Sequence, residues 1–129
     1  MNVTNVDDLK VLLEAGVLLR ELGRFDDADS VLRGVGEIVP DSEIPDVLLG
    51  TVELQRGRFS EAQRLYEATL SLYPNSLYAQ LHHAEALLFQ KKRAEAQREL
   101  EAIISSDPDS LHSQTARMLL SASDMICTE

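Results

Sequence analysis

Chemistry in this chain would have to come from three histidines, one cysteine and a few adjacent acids. His82 and His83 are neighbours, and on a helix successive side chains point about 100° apart, a poor arrangement for joint chelation. His82 and Glu85, at i and i+3, share a helix face and make two metal ligands at best, without the third that an open zinc site requires. With His112, these histidines read as packing or surface residues. Cys127 is the only cysteine, so it has no internal disulfide partner, and its place near a fraying end suits an inert thiol better than a nucleophile. Asp7-Asp8 and Asp26-Asp27 fall at helix starts, where the helix dipole favours negative charge. Gly34-Val35-Gly36 lacks the third glycine and the preceding strand of a phosphate loop. No nucleophile, base and metal set converges, so the chain reads as non-enzymatic and without a cofactor.

The elements that would hold these residues are set by a repeat. Gly23-Arg24-Phe25 returns as Gly57-Arg58-Phe59, 34 residues on. Ala28, Ala62 and Ala96 keep that spacing, and so do Pro40, Pro74 and Pro108, each followed by a polar residue and a serine. Gly16 and Gly50 align with Ala84. Three units follow, 9–42, 43–76 and 77–110, then a tail whose helix is predicted over 111–125. Each unit reads as two helices. In the second, Ser42 can cap a helix reaching about Arg56, with Pro45 in its first turn. Gly57 ends that helix in a left-handed conformation. A second helix runs from about Ser60 to Leu72, with Ala62, Leu65, Tyr66, Thr69 and Leu70 on one stripe. Gly50 and Ala62 would let two backbones approach, and Phe59 would plug the gap beside the turn. Such pairs bury their apolar faces only by stacking. Gly34 and Gly36 cost about 1 kcal/mol each relative to alanine in a helix. They mark a soft outer helix, a hinge, or a place where a partner's backbone comes close.

Composition sets the wider limits. With 129 residues, 44% of them apolar, the chain suits one domain with a real core. No apolar run is long enough to span a membrane, and residues 1–10 place acids where a secretory signal would carry basic and apolar stretches. The sequon Asn2-Val3-Thr4 carries no weight without such a signal. A cytoplasmic protein is expected. The net charge of −10 opposes binding to nucleic acid or to an anionic membrane surface. Much of that charge lies in the first third, since residues 1–42 hold nine acids against four bases.

These positions carry a resemblance. The chain resembles the tetratricopeptide repeat family through Leu49-Gly50, Gly57, Phe59, Ala62, Tyr66 and Pro74 in the second unit. Gly16, Gly23, Phe25, Ala28 and Pro40 match in the first, and Ala84, Ala96, Leu100 and Pro108 in the third. Lys91 replaces the turn glycine of the third unit, Arg93 replaces its aromatic, and the family's large early aromatic is absent at Leu12, Asp46 and Gln80. The resemblance implies an all-α fold over 1–129, a right-handed superhelix of three helix pairs with a C-terminal capping helix.

It also implies a concave groove lined by the first helix of each pair. By register the partner-binding positions are Leu13, Val17, Val47, Thr51, Leu54, Tyr78, Leu81, His82, Glu85 and Phe89, with Lys10, Arg20, Ile44 and Leu88 beside them. For Val47, Leu54 and Leu88 the same register is compatible with packing inside the repeat. Family members that clamp an acidic C-terminus carry Lys, Asn and Arg where this chain has Leu13, Val17, Leu48, Tyr78 and His82, so a carboxylate clamp is not expected. An apolar face suits a partner's helix or extended segment. Replacing Tyr78, Leu81 and Phe89 together by alanine is expected to abolish binding and leave the fold intact.

More loosely, His83-Ala84-Glu85-Ala86-Leu87-Leu88 and Ala94-Glu95-Ala96 are similar to the small tetratricopeptide chaperones of bacterial type III secretion. That similarity implies a cytosolic protein-binding module holding a secretion subunit. The alternative is a structural, homo- or hetero-oligomeric scaffold subunit.

Overall fold

The computed structural model describes residues 6–127, and the Asn2-Val3-Thr4 sequon lies outside them. These residues form seven helices, α1 (Val6–Glu21), α2 (Phe25–Ile38), α3 (Ile44–Gln55), α4 (Phe59–Leu72), α5 (Leu77–Phe89), α6 (Arg93–Ser106) and α7 (Leu111–Cys127). The predicted pairs are α1–α2, α3–α4 and α5–α6, and the capping helix runs two residues further than expected.

Two kinds of turn alternate, each repeated three times. Within a pair, the second residue after the first helix is left-handed, at Gly23 (φ 76°), Gly57 (φ 81°) and Lys91 (φ 64°). Around each, two backbone bonds close the helix end. Arg24 N–H donates to Leu19 C=O, Arg58 to Glu53 and Lys92 to Leu87, all at 2.9 Å. Lys91 holds this geometry without being glycine, at a cost of about 1 kcal/mol or more.

Between pairs, Pro40, Pro74 and Pro108 each sit second in a turn. Each turn is closed by the following serine's N–H, Ser42 to Val39, Ser76 to Tyr73 and Ser110 to Asp107, at 3.1 Å. Ser76 and Ser110 then cap the next helix, accepting from the N–H groups of Ala79 and Ser113 at 3.0 Å. Ser42 differs from the capping role expected of it. The residue three positions on is Pro45, which has no N–H, so Ser42 Oγ accepts from Ile44 at 3.2 Å and the helix begins at Ile44.

Packing proceeds by neighbours. Each helix packs on the next, and the odd helices also meet one another (α1 with α3, α3 with α5, α5 with α7). Among the described residues the even helices do not meet, so the odd helices form the inner, concave layer. The core lies in three clusters along the stack, one with Leu32, Leu49 and Val52, one with Val47 and Tyr66, and one with Leu87, Leu100 and Ile103.

The role expected for Gly50 is corrected. It makes room for the Tyr66 ring rather than for the backbone at Ala62, since a Cβ on Gly50 would lie 2.2 Å from Tyr66 Cε1. Gly16 does the same for Leu32, at 2.7 Å from its Cδ2. The α2 helix passes Gly34 and Gly36 without a break.

Candidate partner-binding site

The odd helices present two recesses on the concave face. The first, of about 460 Å3, lies between α1 and α3 and is lined by Leu13, Val17, Leu18, Ile44 and Leu48, with Lys10, Glu14 and Glu21 at its edge. The second, of about 470 Å3, spans α1, α3 and α5 and the start of α4. Leu54, Phe59 and Phe89 form its apolar wall, and Arg20, Thr51, His82 and Glu85 bring polar atoms.

The apolar wall rests on a stack. The Phe59 and Phe89 rings lie 5.2 Å apart and nearly parallel, which leaves Phe89 about half exposed to the groove. On the polar side, Arg20 donates to Thr51 Oγ1 at 2.7 Å and to Glu21 Oε1 at 2.7 Å. Thr51 in turn donates to the Leu48 carbonyl at 2.6 Å. The Arg20 partner, with help from Gln55, holds the Glu21 carboxyl below the usual carboxylate range. His82 Nδ1 lies 3.0 Å from Glu85 Oε1, and the ring packs edge-on against Tyr78 with centroids 5.2 Å apart. Beneath this floor the Tyr66 ring stacks on His82 at 6.0 Å, and burial pushes its phenol well above the usual range.

The structure distributes the expected groove residues unevenly. Leu13 and Val17 line the first recess, and Thr51, Leu54, His82, Glu85 and Phe89 line the second. Tyr78 lies beside His82, partly buried, with its ring also near His112. Val47 and Leu81 are corrected. Val47 is buried with Ala62 and Tyr66, and Leu81 with Ala84 and Leu100, so neither presents a side chain to a partner. Leu88 is likewise buried. The combined alanine replacement at Tyr78, Leu81 and Phe89 therefore does not leave the fold intact, because truncating a buried leucine costs about 2–5 kcal/mol.

Glu14, Leu18, Glu21, Gln55 and Phe59 also line the recesses, although the register argument did not name them as binding residues. Leu18 was legible in principle, being an apolar residue one turn beyond Glu14 on the first of the described helices.

The remaining residues that suggested chemistry are engaged structurally. His83 lies between Glu99 of α6, at 2.6 Å from Nδ1, and Glu67 of α4, at 3.2 Å from Nε2. Burial opposes its charging, but the two carboxylates outweigh burial and raise its pKa. Asp26 pairs with Arg56 at 2.8 Å and Asp27 with Arg24. Among the described residues no group of three or more His, Cys, Asp or Glu is placed to hold a metal ion. None of the helices described is long and apolar enough to cross a membrane.

Stacked helix pairs with a 34-residue period, left-handed turns and an inner layer of first helices define a repeat class. Sequence comparison agrees with it, since tetratricopeptide repeat profiles match residues 53–120 and 10–42. The chain belongs to the tetratricopeptide repeat family. No protein of curated function matches it by sequence.

Solved structures extend the likeness of fold across nearly the whole chain. PcrH from Pseudomonas aeruginosa superposes with a TM-score of 0.76 at 18% identity, covering 92% of this chain and 93% of PcrH. The Yersinia enterocolitica type III secretion chaperone SycD, in complex with a peptide of the translocator YopD, gives 0.73 at 20% identity, covering 96% and 98%. PcrH bound to the chaperone binding region of PopD gives 0.71 at 19% identity, covering 94% of each chain.

Proposed function

We propose that this chain is a non-catalytic holding protein whose concave groove takes an apolar segment of a partner protein, as a cytosolic chaperone of a type III secretion translocator does. The observation that carries this reading is the groove, in which two apolar recesses lie on one face of a preformed stack, spaced along the odd helices. Further support comes from the fold likeness to SycD and PcrH, whose structures hold translocator segments in complexes. A chain of net charge −10 is poorly suited to nucleic acid, and the apolar lining suits leucine-like anchors. His82 and Glu85 lie at the polar edge of the second recess, where they serve a bound segment as hydrogen-bonding groups.

Affinity capture from the host lysate tests this, comparing wild type with a Leu18→Glu/Phe89→Ala variant. Both side chains line the recesses and are exposed, at 59% and 45%, so the substitutions leave the core untouched. Wild type is expected to retain one secreted or membrane-inserting partner that the variant loses. Titration with that partner's binding segment should show each apolar anchor contributing about 2 kcal/mol, or roughly 30-fold in affinity. Added salt should weaken binding only modestly, because the contacts are apolar. Equal capture by both proteins overturns the groove assignment.

A further inference from the structure

The two recesses of the concave face differ in the chemistry of their walls. Every apolar side chain that lines the first is aliphatic, from Leu13, Val17 and Leu18 to Ile44 and Leu48. The second is walled by two aromatic rings, Phe59 at the start of α4 and Phe89 at the end of α5, inclined to each other by only 14°. With Phe59 against one face of its ring, the exposed half of Phe89 is left to whatever enters the recess. A ring laid there continues the offset stack already present.

Arg20 brings a guanidinium to the same recess. Its Nη1 donates to Thr51 and its Nη2 to Glu21, while Nε is buried. Such bonds lie in the guanidinium plane, and the faces of the plane carry none. A guanidinium held by its edges is poorly placed to grip a carboxylate, and Glu85 in the recess and Glu21 beside it repel one. A basic side chain meets the Arg20 charge itself. An aliphatic side chain would take water from the guanidinium and return nothing. An uncharged ring offers both walls what they lack, a stacking surface for Phe89 and a π face for the cation. His82 does not compete for it, because its ring is already held by Tyr66 at 6.0 Å and by the edge of Tyr78 at 5.2 Å.

We infer that the second recess selects an aromatic side chain, with Phe89 and Arg20 as the residues that set the preference, while the first takes an aliphatic one. The inference rests on the reading of the groove as the site of a partner segment and gives that segment its composition. Its two anchors differ in kind, aliphatic between α1 and α3 and aromatic between α3 and α5.

A random dodecapeptide library displayed on phage and selected on the full chain tests this. Enriched peptides are expected to lose binding to Leu18→Glu and to carry one aliphatic and one aromatic anchor at a fixed spacing. In calorimetric titration of one such synthetic peptide, leucine in place of the aromatic residue should weaken binding to wild type about tenfold. On Phe89→Leu, which keeps an apolar side chain at an exposed position, the two peptides should bind within about twofold of each other. Aliphatic residues at both anchors, or an undiminished difference between the two peptides on Phe89→Leu, overturns the selectivity, and dependence on Leu18 then leaves the groove reading standing. A selection that yields no peptide sensitive to Leu18→Glu or to Phe89→Leu overturns both.

Discussion

Between α4 and α6, His83 joins three helices through Glu67 and Glu99. Its spacing from His82 makes the two a poor chelating pair, and the two rings face different surroundings, His82 the groove and His83 the packed layer between repeats. The carboxylates raise the His83 pKa in the folded state despite burial, so the charged form stabilises the fold. That stabilisation is complete below the unfolded imidazole value of about 6.5 and is lost as pH rises through the higher folded value. Thermal melts from acid to mildly alkaline pH should show wild type losing stability over this window relative to His83→Gln. Parallel profiles would show that the bridge contributes nothing through its charge. Lys91 makes a different point about single residues. It stands where the other two units have glycine, yet the turn forms with the same backbone bonds as at Gly23 and Gly57.

At the scale of elements, glycines in two helices have opposite meanings. Gly34 lies in α2, and a Cβ there would meet nothing within 4 Å. Gly34→Ala should therefore raise stability by about 1 kcal/mol through helix propensity alone. Gly50 lies in α3 against the Tyr66 ring, and a Cβ at 2.2 Å forces the ring or the helix to move. Gly50→Ala should destabilise by about 1–3 kcal/mol, the usual range for overpacking. Denaturant titration of both variants checks the pair, and a stabilised Gly50→Ala protein would contradict the packing described. The sequence alone marked both residues as small or soft. It could not separate them, because the difference lies in what a neighbouring helix places opposite each one.

The whole molecule is a short stack in which each layer depends on the next. Cutting the chain after Ser110 would uncover Leu88, Leu100 and Ile103, which α7 now helps bury through Ala116, Leu119 and Leu120. Each exposed leucine-sized side chain forfeits about 1.5–3 kcal/mol, so hydrogen exchange should show α5 and α6 unprotected in the truncated chain. Protection in α1 and α2 should change far less, because contacts run only between neighbours. Uniform loss of protection would mean the stack folds as one unit.

By itself the sequence determined the repeat, its period, its turns and its helices, and the family resemblance they carry implied which helices line the concave face. The repeat, turns and helices follow from local chemistry (glycine at left-handed turns, proline and serine between pairs, apolar stripes within helices). Tertiary structure alone decided which residues on those inner helices are free. Val47 and Leu81 have the register of groove residues, yet close packing of the next layer buries them. Leu18 and Met118 stay open because they lie on the first and the last of the described helices, where no other described helix covers them. Burial is a property of what lies opposite a residue, and no one-dimensional spacing contains it.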